Sequence, residues 1–143
     1  MPSYSPVCPD ANLVVRFVTQ RDDATINLWQ TWRAERRLFV APTLLRYEVT
    51  NTLHRMYLAG TSDDEGVRKA LRAAIALPIR LYADDDLHPL ALAIAQRHRL
   101  PATYDAHYLA LAERLGIDFF TGDRRLWNSV RHQLSWVRLV DGN

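Results

Sequence analysis

The stretch Thr103–Trp127, TYDAHYLALAERLGIDFFTGDRRLW, decides how the rest of the chain is read. Tyr108, Leu109, Leu111, Ala112 and Leu115 recur at helical spacing and predict a helix over Tyr104–Leu115, stopped by Gly116. A short β-prone run, Phe119–Thr121, follows, then an acid, Asp123, then a second helical pattern over Arg124–Val130. Helix, strand and helix in immediate succession are the unit of a parallel sheet, because parallel neighbours need a crossover connection, usually a helix.

The same alternation extends in both directions. Runs near Ser5–Cys8, Leu38–Ala41, Ile79–Tyr82 and Trp136–Val140 bring the strands to about five. Helical spacing covers Ala11–Val18, Asp23–Glu35, Thr43–Ala59, Asp63–Ala76 and Leu87–Arg99. Thr43 after Pro42 and Asp86 before Leu87 suggest N-caps, and Gly60 and Gly116 suggest helix ends. No repeat, linker or low-complexity run interrupts the pattern. The expected fold is α/β: one domain over residues 1–143, a central mostly parallel sheet of about five strands flanked by about seven helices.

Composition narrows the function classes. A domain of 143 residues buries roughly 68–70% of the surface its unfolded chain exposes, so it needs no disulfide to fold. The single cysteine, Cys8, excludes an internal disulfide and a multi-cysteine zinc site, and makes the cytoplasm the default compartment. MPSYSPVCPDANL has no basic start and no apolar run of signal-peptide length, and no later stretch approaches membrane-spanning length, so neither export nor membrane insertion is expected. A charge of +2 from 18 basic and 16 acidic residues is too even to mark a nucleic-acid binder. Lys69 is the only lysine, an arginine bias that reads as genomic composition.

In an open parallel sheet, ligands sit beyond the carboxyl ends of the strands where the winding reverses. Asp10 and Asp123 each follow a strand directly, although either alone reads equally as an N-cap. Glu48 falls within the apolar arc of Leu44, Leu45, Val49, Thr52, Leu53 and Met56, where a carboxylate needs a partner; alone it reads as a marginal acid satisfied by Arg16 or Arg55. Asp105 lies in the arc of its own helix, and alone it reads as a first-turn acid favoured by the helix dipole. Gathered at one mouth, four carboxylates raise one another's pKa unless a cation neutralises them. All-oxygen ligation points to magnesium or manganese, one or two ions, rather than zinc. Such ions activate water against a phosphodiester.

In this respect the sequence resembles the PIN domains, most closely the VapC-like toxins of bacterial type II toxin-antitoxin systems. Four stretches carry the resemblance in order over nearly the full chain: Asp10 with Asn12 two residues on, RYEVTNTL with Glu48, TYDAHYLALAERLG with Asp105, and DFFTGDRRLW with Thr121 and Asp123. The resemblance implies a metal-dependent ribonuclease in which Asp10, Glu48, Asp105 and Asp123 ligate magnesium or orient its water, while Asn12 and Thr121 support them by hydrogen bonding. It further implies an RNA substrate, a small cognate antitoxin whose arm crosses the active groove, and a homodimer. Cys8 and Pro9 depart from the family pattern before the first acid, and Pro9, lacking an N–H, is expected to end the first strand early.

Arg124 and Arg125 occupy the first turn of a helix, where the dipole disfavours cations, and RNA phosphates are one reason for them; a solvated pair is the other. Asp84-Asp85-Asp86 reads as a solvated turn and cap. The five histidines show no metal spacing, and Trp29 and Trp32 read as core or dimer contacts. A phosphoacceptor receiver domain would need a late lysine, and Lys69 is misplaced for it. A non-catalytic PIN-like scaffold is the main alternative, disfavoured by retention of all four acids. A housekeeping PIN ribonuclease is the alternative within the enzyme reading.

Overall fold

The computed structural model describes residues 5–141; residues 1–4 and 142–143 of the expected 1–143 domain lie outside the described part. The elements run β1 (Pro6–Pro9), α1 (Ala11–Val18), α2 (Asp23–Ala34), β2 (Leu38–Pro42), α3 (Leu44–Leu58), α4 (Asp64–Ala76), β3 (Ile79–Tyr82), α5 (Leu87–Arg97), α6 (Tyr104–Leu115), β4 (Phe119–Thr121), α7 (Arg124–Val130) and β5 (Val137–Leu139). The strands form one parallel sheet in the order β3-β2-β1-β4-β5. The chain winds outward from β1 through β2 to β3, then returns to the other side of β1 for β4 and β5. The winding therefore reverses between β1 and β4, which opens a crevice at their carboxyl ends.

Val7 and Cys8 are consecutive on the central strand and so point to opposite faces, yet both are fully buried, so helices cover the sheet on both sides. Around α1, the helices α3 and α4 pack together, while α5 pairs with α6 and α6 lies against β1, β2 and β4. Trp29 and Trp32 belong to the core: Trp29 stacks on Phe17 at 4.3 Å and on Phe39 at 4.8 Å, and Trp32 meets Phe120 edge-on at 4.8 Å.

Three local expectations are corrected. Strand β1 does not end early but includes Pro9, in register with Phe120. Cys8 and Asp10 donate their N–H groups to Asp118 and Phe120 on the β4 side, so by alternation the nitrogen of Pro9 faces away from β4 and its missing donor interrupts nothing there. Thr43 and Asp86 make no capping bond, because both already have helical backbone angles, whereas an N-cap side chain reaches its amides from an extended residue. Gly116 ends α6 at φ +65, the left-handed conformation that costs glycine nothing.

An ion pair fastens the helices beneath the crevice. The Arg16 guanidinium grips Asp22 with two bonds, Nε to Oδ2 at 2.8 Å and Nη2 to Oδ1 at 3.1 Å, and gives Nη1 to the Val140 carbonyl at 3.1 Å. Both side chains are nearly dry, at 10% and 6% exposed. Asp22 also caps α2 through Thr25, and the Arg16 bond holds its carboxyl well below the usual carboxylate range. Its stabilisation is therefore complete above the ordinary aspartate pKa of ~3.9 and is lost as the pH falls further. Asp22→Ala is expected to cost about 3 kcal/mol or more by stranding a buried guanidinium, a loss that equilibrium unfolding at pH 7 measures.

Candidate active site

The β1–β4 crevice gathers the acids because two of them are the residues at which strands become helices. Asp10 ends β1 in an extended conformation and caps α1, its Oδ1 accepting the Leu13 N–H at 2.8 Å. Its Oδ2 accepts the Thr121 hydroxyl at 2.6 Å and the Gly122 N–H at 3.3 Å. Thr121 is itself fully buried at the end of β4, and its oxygen also accepts the Asp123 N–H at 2.9 Å. One threonine thus ties the acid after β1 to the acid after β4. Asp123 then caps α7 through the amides of Arg125 and Leu126. The capping role and the site role coincide at both positions: the extended backbone that makes a cap also aims the carboxylate out of the sheet edge.

Glu48 and Asp105 arrive from helices. Glu48 lies in α3, and its Oε1 accepts the hydroxyl of Tyr108 in α6 at 2.7 Å. Neither arginine suggested by the sequence is its partner, since Arg16 is committed to Asp22 and Arg55 bonds Thr52. Asp105, half-buried in the first turn of α6, makes no side-chain hydrogen bond among the described residues. A cavity of about 330 Å³ is lined by Asp10, Asn12, Glu48, Asp105 and Asp123, and by one cation, Arg55, among the described residues. All four sequence-selected acids therefore face one space.

Their proximity is felt electrostatically. Asp105 is pushed up to about 6, first by burial and then by the charges of Asp123, Asp10 and Glu48. Asp10 also rises to about 6 through burial, against the opposing pull of its bonds to Thr121, Leu13 and Gly122. Burial, then the Glu48 charge, keeps the Tyr108 phenol well above its ordinary range, so it stays a donor. A hard divalent cation fits this donor set in chemistry and charge. Even so, among the described residues no three acidic, histidine or cysteine side chains converge closely enough to cage an ion as they stand. Asp10, Asp123 and Glu48 each accept hydrogen bonds from protein donors.

The PIN domain family matches residues 7–132. The chain belongs to the PIN domain family. Among solved structures it is similar to the crystal structure of VapBC2 from Rickettsia felis bound to a DNA fragment from their promoter, with a TM-score of 0.65 and 10% identity over 96% of this chain and 99% of that one. At that identity the likeness is one of fold. No curated protein matches the sequence. PIN domains are generally nucleases, and the acids gathered at the switch point of this PIN domain are consistent with that class.

Other positions of this PIN domain fall outside the acidic cavity. Arg124 pairs with Asp141 and lines a separate cleft with Trp127 and Arg131, and Arg125 is exposed with its side chain unpaired among the described residues. Asn12 reaches the cavity but makes no hydrogen bond to the acids among the described residues. Asp84 and Asp86 clamp Arg114, so the acidic run serves a surface ion pair. Sequence reasoning missed Tyr108, whose hydroxyl on a buried helix face was the only signal. It also missed Gly122: a Cβ there would lie 2.6 Å from Asn12 Oδ1 and 2.7 Å from Arg16 Nη1, so a side chain in the turn between Thr121 and Asp123 would displace Asn12 and the Asp22-bound Arg16.

Proposed function

We propose that this chain, one PIN domain over residues 1–143, is a Mg²⁺- or Mn²⁺-dependent endoribonuclease and the toxin of a bacterial type II toxin-antitoxin pair. The observation that carries the reading is the facing of Asp10, Glu48, Asp105 and Asp123 into one cavity at the β1–β4 crevice. Those four acids would hold one or two ions, which supply water activation and neutralise charge on the phosphodiester. Thr121 fixes the Asp10 carboxylate, Tyr108 fixes Glu48, and Gly122 lets the turn approach Asp10. Asp105, without a protein donor among the described residues, is the acid free to orient the attacking water.

Arg124 and Arg125 are proposed contacts for RNA phosphates, with Asn12 supporting the acids when substrate and cation are present. The partner is a small cognate antitoxin whose arm occupies the groove, the assembly is a homodimer, and the compartment is the cytoplasm; no helix among the described residues is long and apolar enough to cross a membrane. Purified protein is expected to cut loop-containing RNA with magnesium or manganese and to stop in EDTA, read on denaturing gels. Cleavage that persists in EDTA contradicts the reading. So does failure on every RNA with a competent metal, which returns the chain to a non-catalytic PIN scaffold.

A further inference from the structure

A second cavity, of about 270 Å³, adjoins the carboxyl ends of β2 and β3 and is bordered by Tyr47, Tyr82, Tyr104, Leu87, His88 and His107. Tyr47 and Tyr104 leave 74% and 61% of their surface in solvent, among the largest exposures of any big apolar side chain here. Tyr82 is a wall rather than a free face, since Arg80 and Arg114 sit over its ring at 5.1 Å and 5.9 Å. The placement of the two exposed rings is specific: Tyr47 immediately precedes Glu48 on α3, and Tyr104 immediately precedes Asp105 on α6. The aromatic cleft and the acidic cavity therefore draw on the same two helices, with no lining residue in common. A polymer bound across both would lay a unit near the cleaved phosphodiester against these rings.

The rim adds polar edges. His107 Nδ1 lies 2.7 Å from the Thr103 carbonyl and His107 Nε2 lies 2.9 Å from His88 Nδ1, so two linked imidazoles border the cleft beside the rings. The Nε2 of His88 meets no partner among the described residues. Flat aromatic faces beside a ring nitrogen match a nucleobase, which has a π-face and a hydrogen-bonding edge. An aliphatic protein side chain would leave that ring nitrogen unused.

We propose that this cleft is a nucleobase subsite, in which Tyr47 and Tyr104 stack a base of single-stranded RNA next to the cleaved phosphodiester. The proposal rests on the nuclease reading for its substrate. The test compares the wild type with Tyr47→Ala, Tyr104→Ala and the two phenylalanine variants on an RNA oligonucleotide and on versions with one abasic nucleotide at each position in turn. The alanine variants are expected to lose about tenfold to a hundredfold in kcat/KM on intact RNA, as for loss of one stacked base. The phenylalanine variants keep activity. One abasic position flanking the cut should cost the wild type a similar factor and cost the alanine variants nothing further.

Stacking is read apart from turnover by quenching of a 2-aminopurine RNA with calcium in place of magnesium, which the alanine variants should lose. Equal cleavage by wild type and alanine variants, or equal losses on intact and abasic RNA, overturns the subsite and leaves the nuclease reading standing. No cleavage by the wild type, with quenching intact, does the reverse. A changed oligomeric state in the alanine variants with cleavage unaltered marks the cleft as a protein contact and also overturns the subsite.

Discussion

Replacing Asp10 or Asp105 by asparagine is expected to abolish metal-dependent RNA cleavage while leaving the metal-free protein folded. The charge is what the proposed site uses, and asparagine keeps the shape of the side chain while removing it. If Asp10 were only the cap of α1, asparagine would serve as well, because it is among the best capping residues. Stability should move the other way from activity. Burial raises Asp10 and Asp105 to about 6, above the ~3.9 of an unfolded aspartate. A raised carboxyl contributes its full stability below pH ~4 and loses it as the pH rises through the folded value. Metal-free wild type should accordingly weaken between about pH 4 and pH 7, by at most about 3 kcal/mol for a two-unit shift of one such acid.

Asp105→Asn gives the cleaner result, since Asp105 surrenders no hydrogen bond among the described residues, and it should be at least as stable as wild type at pH 7. Asp10→Asn gains less. With its oxygen kept on the Leu13 N–H, the new amide nitrogen confronts both the Gly122 N–H and the Thr121 hydroxyl, which donate to the same carboxylate oxygen. Urea unfolding across that pH range checks both the sign and the ordering.

The second large effect is on cells. Expression of the intact protein alone is expected to arrest bacterial growth if it is the proposed RNA-cleaving toxin, since such a nuclease turns over many molecules, and co-expression of the proposed antitoxin should restore growth. The asparagine variants should be harmless at equal abundance yet still bind the partner. Unimpaired growth with the active protein, and no partner that binds it, would instead favour a housekeeping ribonuclease. Arrest by Asp105→Asn as strong as by the wild type would separate toxicity from the acids altogether.

How much of this was legible depended on the range of the interaction. The alternation of strand and helix is a local property, so the sheet, its parallel sense and most element bounds followed from periodicity, with α2, α3, α5 and β5 ending one or two residues sooner than expected. Asp10 and Asp123 could be singled out because position relative to a strand end is also local, and Glu48 and Asp105 because each stands in an apolar arc. Of the acids' side-chain partners only Thr121 was expected, through the family resemblance, and periodicity could supply neither it nor Tyr108. Tyr108 is 60 residues from Glu48, and Thr121 is 111 residues from Asp10, separations that only the folded sheet closes. Arg16, one of the two arginines offered to Glu48, is instead held by a local partner, Asp22, six residues on, in a bidentate grip in a nearly dry setting. Pro9 misled because the direction of its nitrogen depends on which neighbour lies on which side.

The claim that the four acids form one cation site is tested most directly by thermal unfolding with and without magnesium or manganese. A ligand at 100 times its dissociation constant stabilises by about 2.7 kcal/mol, which for a domain of this size is a rise of several degrees. The wild type should show that rise, reversed by EDTA, and Asp105→Asn and Asp10→Asn should show none. An unmoved wild-type melting temperature at millimolar metal, or an equal rise in wild type and both asparagine variants, would contradict it.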